Sequence, residues 1–251
     1  MLDYDGTLAP FTTVRDRAFP YPGVQALLQE IIDRERTRVV IVSGRDAQDT
    51  ARLLNLDPTP EIWGLHGLQQ RRPDGTTRTR ALDQPTLDAL AKAAEWVSYQ
   101  NLRTAAEFKA GSIAVHWRGL DQTRTEEVRG RVLLGWHQIA EETGLKLLEF
   151  DGGIEICSRQ ADKGHPVRVL LAQSPGAPAA YLGDDATDER AFLALQGHGL
   201  TVLVRREWRE TNAQMWLKPP EELLTFLTHW LRASNHPDPT DDLSARAAVN
   251  S

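Results

Sequence analysis

The stretch PGVQALLQEIIDRERTRVVIVSGR, residues 22–45, leaves little choice of fold class. Val24, Leu27, Leu28, Ile31 and Ile32 recur at helical spacing, so 22–36 predicts an amphipathic helix. TRVVIVSGR (37–45) follows at once and holds a run of apolar residues, without alternation, that Gly44 closes. A strand with no polar face must be covered on both faces, as in a parallel sheet flanked by helices. The same alternation returns near the end of the chain. AAYLGDD (179–185) and LTVLVR (200–205) read as short buried strands. KGHPVRVLLAQS (163–174) reads as a helix with Pro166 in its first turn, and PPEELLTFLTHWLRAS (219–234) as a closing amphipathic helix. The flanks, 1–67 and 161–234, therefore predict an α/β core with a Rossmann-like, mostly parallel sheet.

The middle, 68–160, follows another rule. Helical patterns at 84–99 and 122–143 are each followed by two strand patterns, at 104–109 and 112–118, and at 145–150 and 153–158. This αββαββ order predicts an inserted unit with an open antiparallel sheet and helices on one face. In SIAVHWR, Ile113, Val115 and Trp117 alternate with Ser112, Ala114, His116 and Arg118. The same parity sets Glu107 and Lys109 opposite Phe108, and Glu155 opposite Ile154 and Ile156. Coinciding polar faces would make a floor of acid, amine, imidazole and guanidinium groups fit for a polyhydroxylated ligand. The competing reading is the solvated face that any such sheet has. The last stretch, 235–251, is polar and contains prolines, and predicts a disordered tail.

Composition narrows the functions. Of 251 residues 41% are apolar, and 29 Lys and Arg face 35 Asp and Glu for a net charge of −6. That balance argues against nucleic-acid or anionic-membrane partners, while a local basic pocket could still bind an anion. The single cysteine, Cys157, excludes an intrachain disulfide and a zinc site built on paired cysteines. There is neither an apolar run of membrane-spanning length nor a signal-peptide pattern, so a cytoplasmic protein, by default a monomer, is expected.

The chemistry starts at MLDYDGTLAP, residues 1–10. Asp3 falls at the carboxyl end of a strand, where open α/β sheets bind ligands, and Asp5 two residues on is aimed to the same side. One carboxylate can attack phosphorus while the other handles the leaving-group proton, given a cation that offsets the charge. A strand-to-turn junction capped by an Asp is the plainer reading of Asp-Gly alone. Ser43, ahead of Gly44 and Arg45, can hold a phosphate oxygen or merely cap a helix. Lys163 can balance charge between nucleophile and phosphate or simply face solvent. In LGDDATDE (182–189), Asp184, Asp185 and Asp188 repel one another unless a cation sits among them or they cap the next helix. Only Met1 and Leu2 precede Asp3, against five or six residues in an ordinary strand, so a start further upstream is expected.

Taken in order, DYDGT, the strand-end Ser43, Lys163 and GDDATD resemble the four signatures of the haloacid-dehalogenase-type phosphatases. Within that superfamily, LDYDGTLAPF, VSGR, GLHG (64–67), EFKAGSIAVHWR (107–118), IEICSRQADKG (154–164) and GDDATDERAF (183–192) are similar to the trehalose-6-phosphate phosphatases. The resemblance covers about Leu2 to Trp230. It implies a cap domain over 68–160 and Mg²⁺-dependent hydrolysis of a small-molecule sugar phosphate through an aspartyl-phosphate. Asp3 is then the nucleophile, Asp5 the acid and base, and Ser43 and Lys163 hold the transferring group. Asp3, the main-chain carbonyl of Asp5 and Asp184 are the implied Mg²⁺ ligands, with Asp188 behind them or as an alternative ligand. Glu107, Lys109, Glu155, His116 and Arg118 become substrate contacts, and Arg45 and His66 stand equally between substrate contact and turn structure. One departure is visible. Family members often carry a GK turn ahead of the glutamate matched by Glu155, where this chain reads FDGGIEI, and Lys146 is the candidate to supply the missing contact. The alternatives are a phosphatase of the same fold acting on another sugar phosphate, and a non-catalytic regulatory module.

Overall fold

The computed structural model describes residues 1–12, 14–150 and 152–234, so the tail expected at 235–251 lies outside the described residues. The first layer is built around strands β1 (Val40–Val42) and β2 (Glu61–Gly64), with helices α1 (Val24–Asp33) and α2 (Ala47–Leu54) before and between them. A short antiparallel hairpin, β3 (Gln69–Arg71) and β4 (Thr77–Thr79), pairs onto β2. The second layer runs α3 (Gln84–Tyr99), β5 (Ala106–Lys109), β6 (Ser112–His116), α4 (Gln122–Thr143), β7 (Lys146–Phe150) and β8 (Gly153–Cys157). The chain then returns through α5 (Gly164–Gln173), β9 (Ala180–Gly183), α6 (Glu189–Leu195), β10 (Leu200–Val204), β11 (Met215–Leu217) and α7 (Glu221–Ala233).

Leu2 joins the halves of the parallel sheet. It bridges Ile41 on one side and Leu182 on the other, giving the order β4-β3-β2-β1-Leu2-β9-β10-β11. The Leu2 N–H donates to the Val40 carbonyl at 2.9 Å, and the Asp3 N–H donates to the Leu182 carbonyl at 2.9 Å. Successive side chains of these strands go to opposite faces, and both faces are buried. Ile41, Ile62, Leu182 and Val202 pack with Leu28, Leu54 and Leu227 from α1, α2 and α7. Val40, Val42 and Tyr181 pack with Val167 and Phe192 from α5 and α6. Burying such side chains is worth about 1.5–3 kcal/mol each, which explains the absence of alternation in VVIV.

The hairpin β3–β4 differs from the expectation that 68–160 form one inserted unit, because its residues extend the parallel sheet. QQRRPDGTTRT carries no apolar face to announce a strand, and polar contacts hold it in place. The Gln69 side chain accepts from the Ala47 N–H at 2.7 Å and donates to Asp46 at 2.9 Å, tying the hairpin to the start of α2. Gly75 at φ 86° makes its turn.

The antiparallel layer has the order β5-β6-β8-β7 and packs α3 and α4 against one face. Ile113, Val115, Ile154 and Ile156 lie on that face with the fully buried Val132 and Trp136. The register sets Glu107 beside Ala114 and Ala114 beside Glu155, so the two acids share the opposite face and the polar faces coincide. Residues 103–105 form a 3₁₀ turn ahead of β5, and β6 ends at His116, two residues short of the expectation. Among the described residues no helix is long and apolar enough to cross a membrane.

Candidate active site

The carboxyl ends of the central strands converge on one point. Asp3 is 3% exposed, and the left-handed Gly6 (φ 84°) turns the chain away just beyond it. The turn closes through the Gly6 N–H on the Ala9 carbonyl at 2.8 Å and the Leu8 N–H on the Tyr4 carbonyl at 2.9 Å. Tyr4 points the other way into the core and donates its hydroxyl to the Ala18 carbonyl at 2.7 Å. A Cβ on Gly6 would stand 2.2 Å from Asp184 Oδ2, so only glycine lets the loop approach the acidic cluster.

Lys163, at the start of α5, is buried between two carboxylates. Its Nζ donates to Asp3 Oδ1 at 2.7 Å and to Asp188 Oδ1 at 2.9 Å, and Thr7 Oγ1 donates to Asp3 Oδ2 at 3.2 Å. Burial opposes charge on Lys163, but Asp188 and Asp3 outweigh it and hold the ammonium well above its usual pKa. Burial pushes the Asp3 carboxyl up to about 8 against the pull of Lys163, with Asp188 and Asp185 adding to the rise. Asp184 is raised well above the carboxylate range by burial and then by Asp185, Asp3 and Asp188.

Asp188 organises the acidic loop. Its Oδ1 also accepts from the Tyr181 hydroxyl at 2.7 Å, while Oδ2 accepts from the N–H groups of Asp184 at 3.1 Å and Asp185 at 3.2 Å. Asp185 caps its own turn, accepting from the Thr187 N–H at 2.8 Å. Asp184 Oδ2 is buried with no hydrogen-bond partner. Asp3, Asp184 and Asp188 each bring a carboxylate oxygen within 4.8 Å of the others. Three hard oxygen donors, an unpartnered buried oxygen and carboxyl groups raised by burial and then by mutual repulsion fit a divalent cation. Both oxygens of Asp188 are already engaged, which suits it to shaping the site from behind.

Ser43 ends β1 almost fully buried, and its Oγ accepts from the Arg45 N–H at 3.1 Å. Arg45 lines the same cavity, yet its guanidinium forks onto Asp5, with Nε to Oδ2 and Nη2 to Oδ1 both at 2.6 Å. The expected even choice for Arg45 thus has a third answer, a partner carboxylate.

The polar face of the antiparallel layer looks onto this edge across a cavity of about 420 Å³. Glu155, 3% exposed, accepts from Lys109 at 3.0 Å and from the Ser112 hydroxyl, and meets His66 Nε2 at 3.1 Å. Burial opposes its charge, but Lys109, His66 and the Ser112 bond hold the carboxyl well below its usual range. His66 sits in a left-handed turn (φ 53°) between β2 and β3, so its contact with Glu155 ties the two layers together. Its ring lies against Gly44, where a Cβ would come within 2.6 Å. Nearer solvent, His116 Nε2 pairs with Glu107 at 3.2 Å. Arg118 donates to the Thr12 carbonyl at 2.9 Å, and its guanidinium stacks 5.4 Å from the Phe11 ring centre, which joins the layers at the other rim.

Lys146 does not fill the gap left by the departure at FDGGIEI. Its Nζ donates to the carbonyls of Arg159 at 3.0 Å and Ala161 at 3.4 Å, away from the cavity. Its place near the end of β7 that adjoins the return to α5 accounts for this. Phe11, Leu148 and Phe150 supply apolar lining instead. Burial pushes the Cys157 thiol up to about 12, which leaves it inert. Sequence reasoning gave no role to Thr7, Tyr181 or Arg209. Thr7 was legible from its place in DGT. Tyr181 reads as a core strand residue, and Arg209 lies in a polar loop far from any motif.

Fold and site together define a haloacid-dehalogenase-type architecture. A solved haloacid dehalogenase-like hydrolase from Bacillus subtilis has the same fold, with a TM-score of 0.62 over 91% of this chain and 98% of that one at 15% identity. The C-terminal domain of Candida albicans trehalose-6-phosphate phosphatase superposes with a TM-score of 0.77, over 92% of this chain and 90% of that one, at 20% identity. The trehalose-phosphatase family profile matches residues 1–218, and the chain belongs to that family. The trehalose-phosphate phosphatase of Mycobacterium tuberculosis is 31% identical over 239 residues, which is 89% of this chain and 59% of that protein. The chain thus spans about three-fifths of the length of that relative.

Proposed function

We propose that the protein is a Mg²⁺-dependent phosphatase that hydrolyses trehalose 6-phosphate to trehalose and inorganic phosphate. The observation that carries this reading is the buried pair of Asp3 and Lys163 at 2.7 Å, at the centre of the parallel sheet and facing a polar floor. A carboxylate held by an ammonium and exposed to a cavity of sugar-phosphate size is a poised nucleophile. Asp3 attacks phosphorus, the bond from phosphorus to the sugar oxygen breaks, and the sugar oxygen takes its proton from Asp5. Water then attacks the phospho-Asp3, gives its proton to Asp5, and frees phosphate and Asp3. For this Asp5 must exchange Arg45 for the leaving oxygen, because both of its oxygens now face the guanidinium. Ser43 and Lys163 hold the transferring phosphoryl oxygens.

Asp3, Asp184 and the main-chain carbonyl of Asp5 would hold the Mg²⁺, and Asp188 would brace the loop behind them. The ion's contribution when bound is to offset negative charge on the phosphate and its attacker. Glu107, Lys109, His116 and Glu155 read the sugar hydroxyls from a cap formed by the antiparallel layer. His66 and Arg118 set where that cap rests, and Arg118 can also reach the sugar. The apolar lining from Leu148 and Phe150 favours a related reading, a phosphatase of the same design acting on another sugar phosphate. Phosphate release from trehalose 6-phosphate, sucrose 6-phosphate and glucose 6-phosphate, with and without Mg²⁺, decides between them. Turnover at least about tenfold faster on trehalose 6-phosphate is the expected result. Equal rates on all three would overturn the disaccharide assignment, and no release from any would overturn the phosphatase.

A further inference from the structure

The acidic loop is braced from outside as well as inside. The N–H groups of Asp184 and Asp185 point inward to Asp188. Their carbonyls point outward, and both are taken by one residue, Arg209, from the loop between β10 and β11. Its Nε donates to the Asp184 carbonyl at 3.2 Å and its Nη2 to the Asp185 carbonyl. Nη1 pairs with Glu189 at 2.6 Å and donates to the Glu210 carbonyl at 2.8 Å. Glu189, the first residue of α6, also accepts from the Thr211 hydroxyl at 2.7 Å, the Asn212 N–H at 2.8 Å and the Asn212 side chain at 2.9 Å.

We infer that Arg209 is a positioning residue for the cation-binding carboxylate Asp184. The peptide unit between Asp184 and Asp185 is pinned at both ends, its carbonyl by Arg209 and its N–H by Asp188. Asp184 Oδ2 has no hydrogen bond of its own, so no partner holds it in place when the backbone that carries it shifts. Rotation of that peptide would move Oδ2 off the point where Asp3 and Asp188 converge. The ion pair with Glu189 is partly open to water and adds little by charge. What matters is the planar fork, which reaches two carbonyls and a carboxylate at once, as an ammonium cannot. Groups that orient metal ligands from behind commonly change metal affinity by about 10–100-fold.

The inference rests on the divalent-cation reading of the acidic cluster, and one experiment separates the two. Mg²⁺ alone, without substrate, is titrated calorimetrically into the full chain and into Arg209→Gln and Arg209→Lys. The wild type is expected to bind, Arg209→Gln about tenfold more weakly, and Arg209→Lys to recover little of the loss. The metal-free melting temperatures should stay alike. A wild type that binds no Mg²⁺ overturns the cation reading and this inference with it. A wild type that binds while Arg209→Gln matches it overturns the inference alone, as does full recovery in Arg209→Lys. Should Arg209→Gln fail to fold, Arg209→Lys alone carries the test, because an ammonium keeps the charge but cannot span both carbonyls, and an unchanged Mg²⁺ affinity there overturns the role.

Discussion

The two walls of the cavity are built by different means. On the parallel wall Asp3 and Asp188 are buried, and main-chain donors or buried side chains hold them. Asp188 alone accepts from two N–H groups, Lys163 and Tyr181. On the antiparallel wall side chains hold side chains across β5, β6 and β8, and exposure grows towards solvent. Glu155 is 4% exposed at the side chain, Lys109 11%, Glu107 23% and His116 38%. The buried bonds of Asp3 and Asp188 leave these two carboxylates little freedom to turn, which suits the phosphoryl chemistry proposed for this wall. On the proposed reading, the second wall can trade partners such as His116–Glu107 for sugar hydroxyls at little cost, because hydrogen bonds lost to one partner are regained from the other. Rigidity thus goes to the reaction and exchangeability to recognition.

This contrast can be broken most sharply at Asp3. Asp3→Asn should lower turnover by at least about 10⁴-fold on every phosphate ester, the scale of losing a covalent nucleophile. Appreciable residual hydrolysis in steady-state assays would move the reaction off this wall. Asp5→Asn should cost about 10²–10⁴-fold on a sugar phosphate. In kcat/KM, which reads phosphoryl transfer to Asp3 and not the later water step that Asp5 also serves, the loss should be far smaller on p-nitrophenyl phosphate, whose leaving group needs no proton. An equal loss on both would deny Asp5 the acid role.

Glu107→Ala should act on recognition alone. A drop in kcat/KM of about tenfold on trehalose 6-phosphate corresponds to about one hydrogen bond to a charged group. The rate on p-nitrophenyl phosphate should hardly change, and a parallel drop would make the antiparallel layer a mere lid. The smallest effect belongs to Glu155. Its pKa is depressed in the folded state, so its contribution to stability is complete above the ordinary value of 4.5. That contribution is withdrawn as the pH falls from there towards the folded value. Glu155→Gln should destabilise the protein by about 1–3 kcal/mol at pH 7 and flatten the acid limb of melting temperature against pH. An unaltered acid limb would show that the buried network does not depend on this charge.

Much of this architecture is legible in the sequence. VVIV and the helix before it announced a strand covered on both faces, and parity set Glu107 with Lys109 and Glu155 apart from its flanking isoleucines, while the register alone put these acids on one face. The hairpin β3–β4 escaped notice because QQRRPDGTTRT forms a strand pair through polar contacts to α2, and apolar periodicity is blind to those. Lys146 was misjudged for a related reason. Its strand was read correctly, but where an ammonium reaches depends on which carbonyls lie within its span.

By itself the sequence determined many of the elements, their faces and the residue types at the strand ends, since these follow from local periodicity and from the chemistry each side chain carries. Pairings between distant segments came only with the tertiary structure: Arg45 on Asp5, His66 on Glu155, Arg118 on Thr12 and Arg209 on two carbonyls of the acidic loop. Long cationic and polar side chains find partners by position in space. Nothing in the spacing of a chain records that position until the sheets have packed.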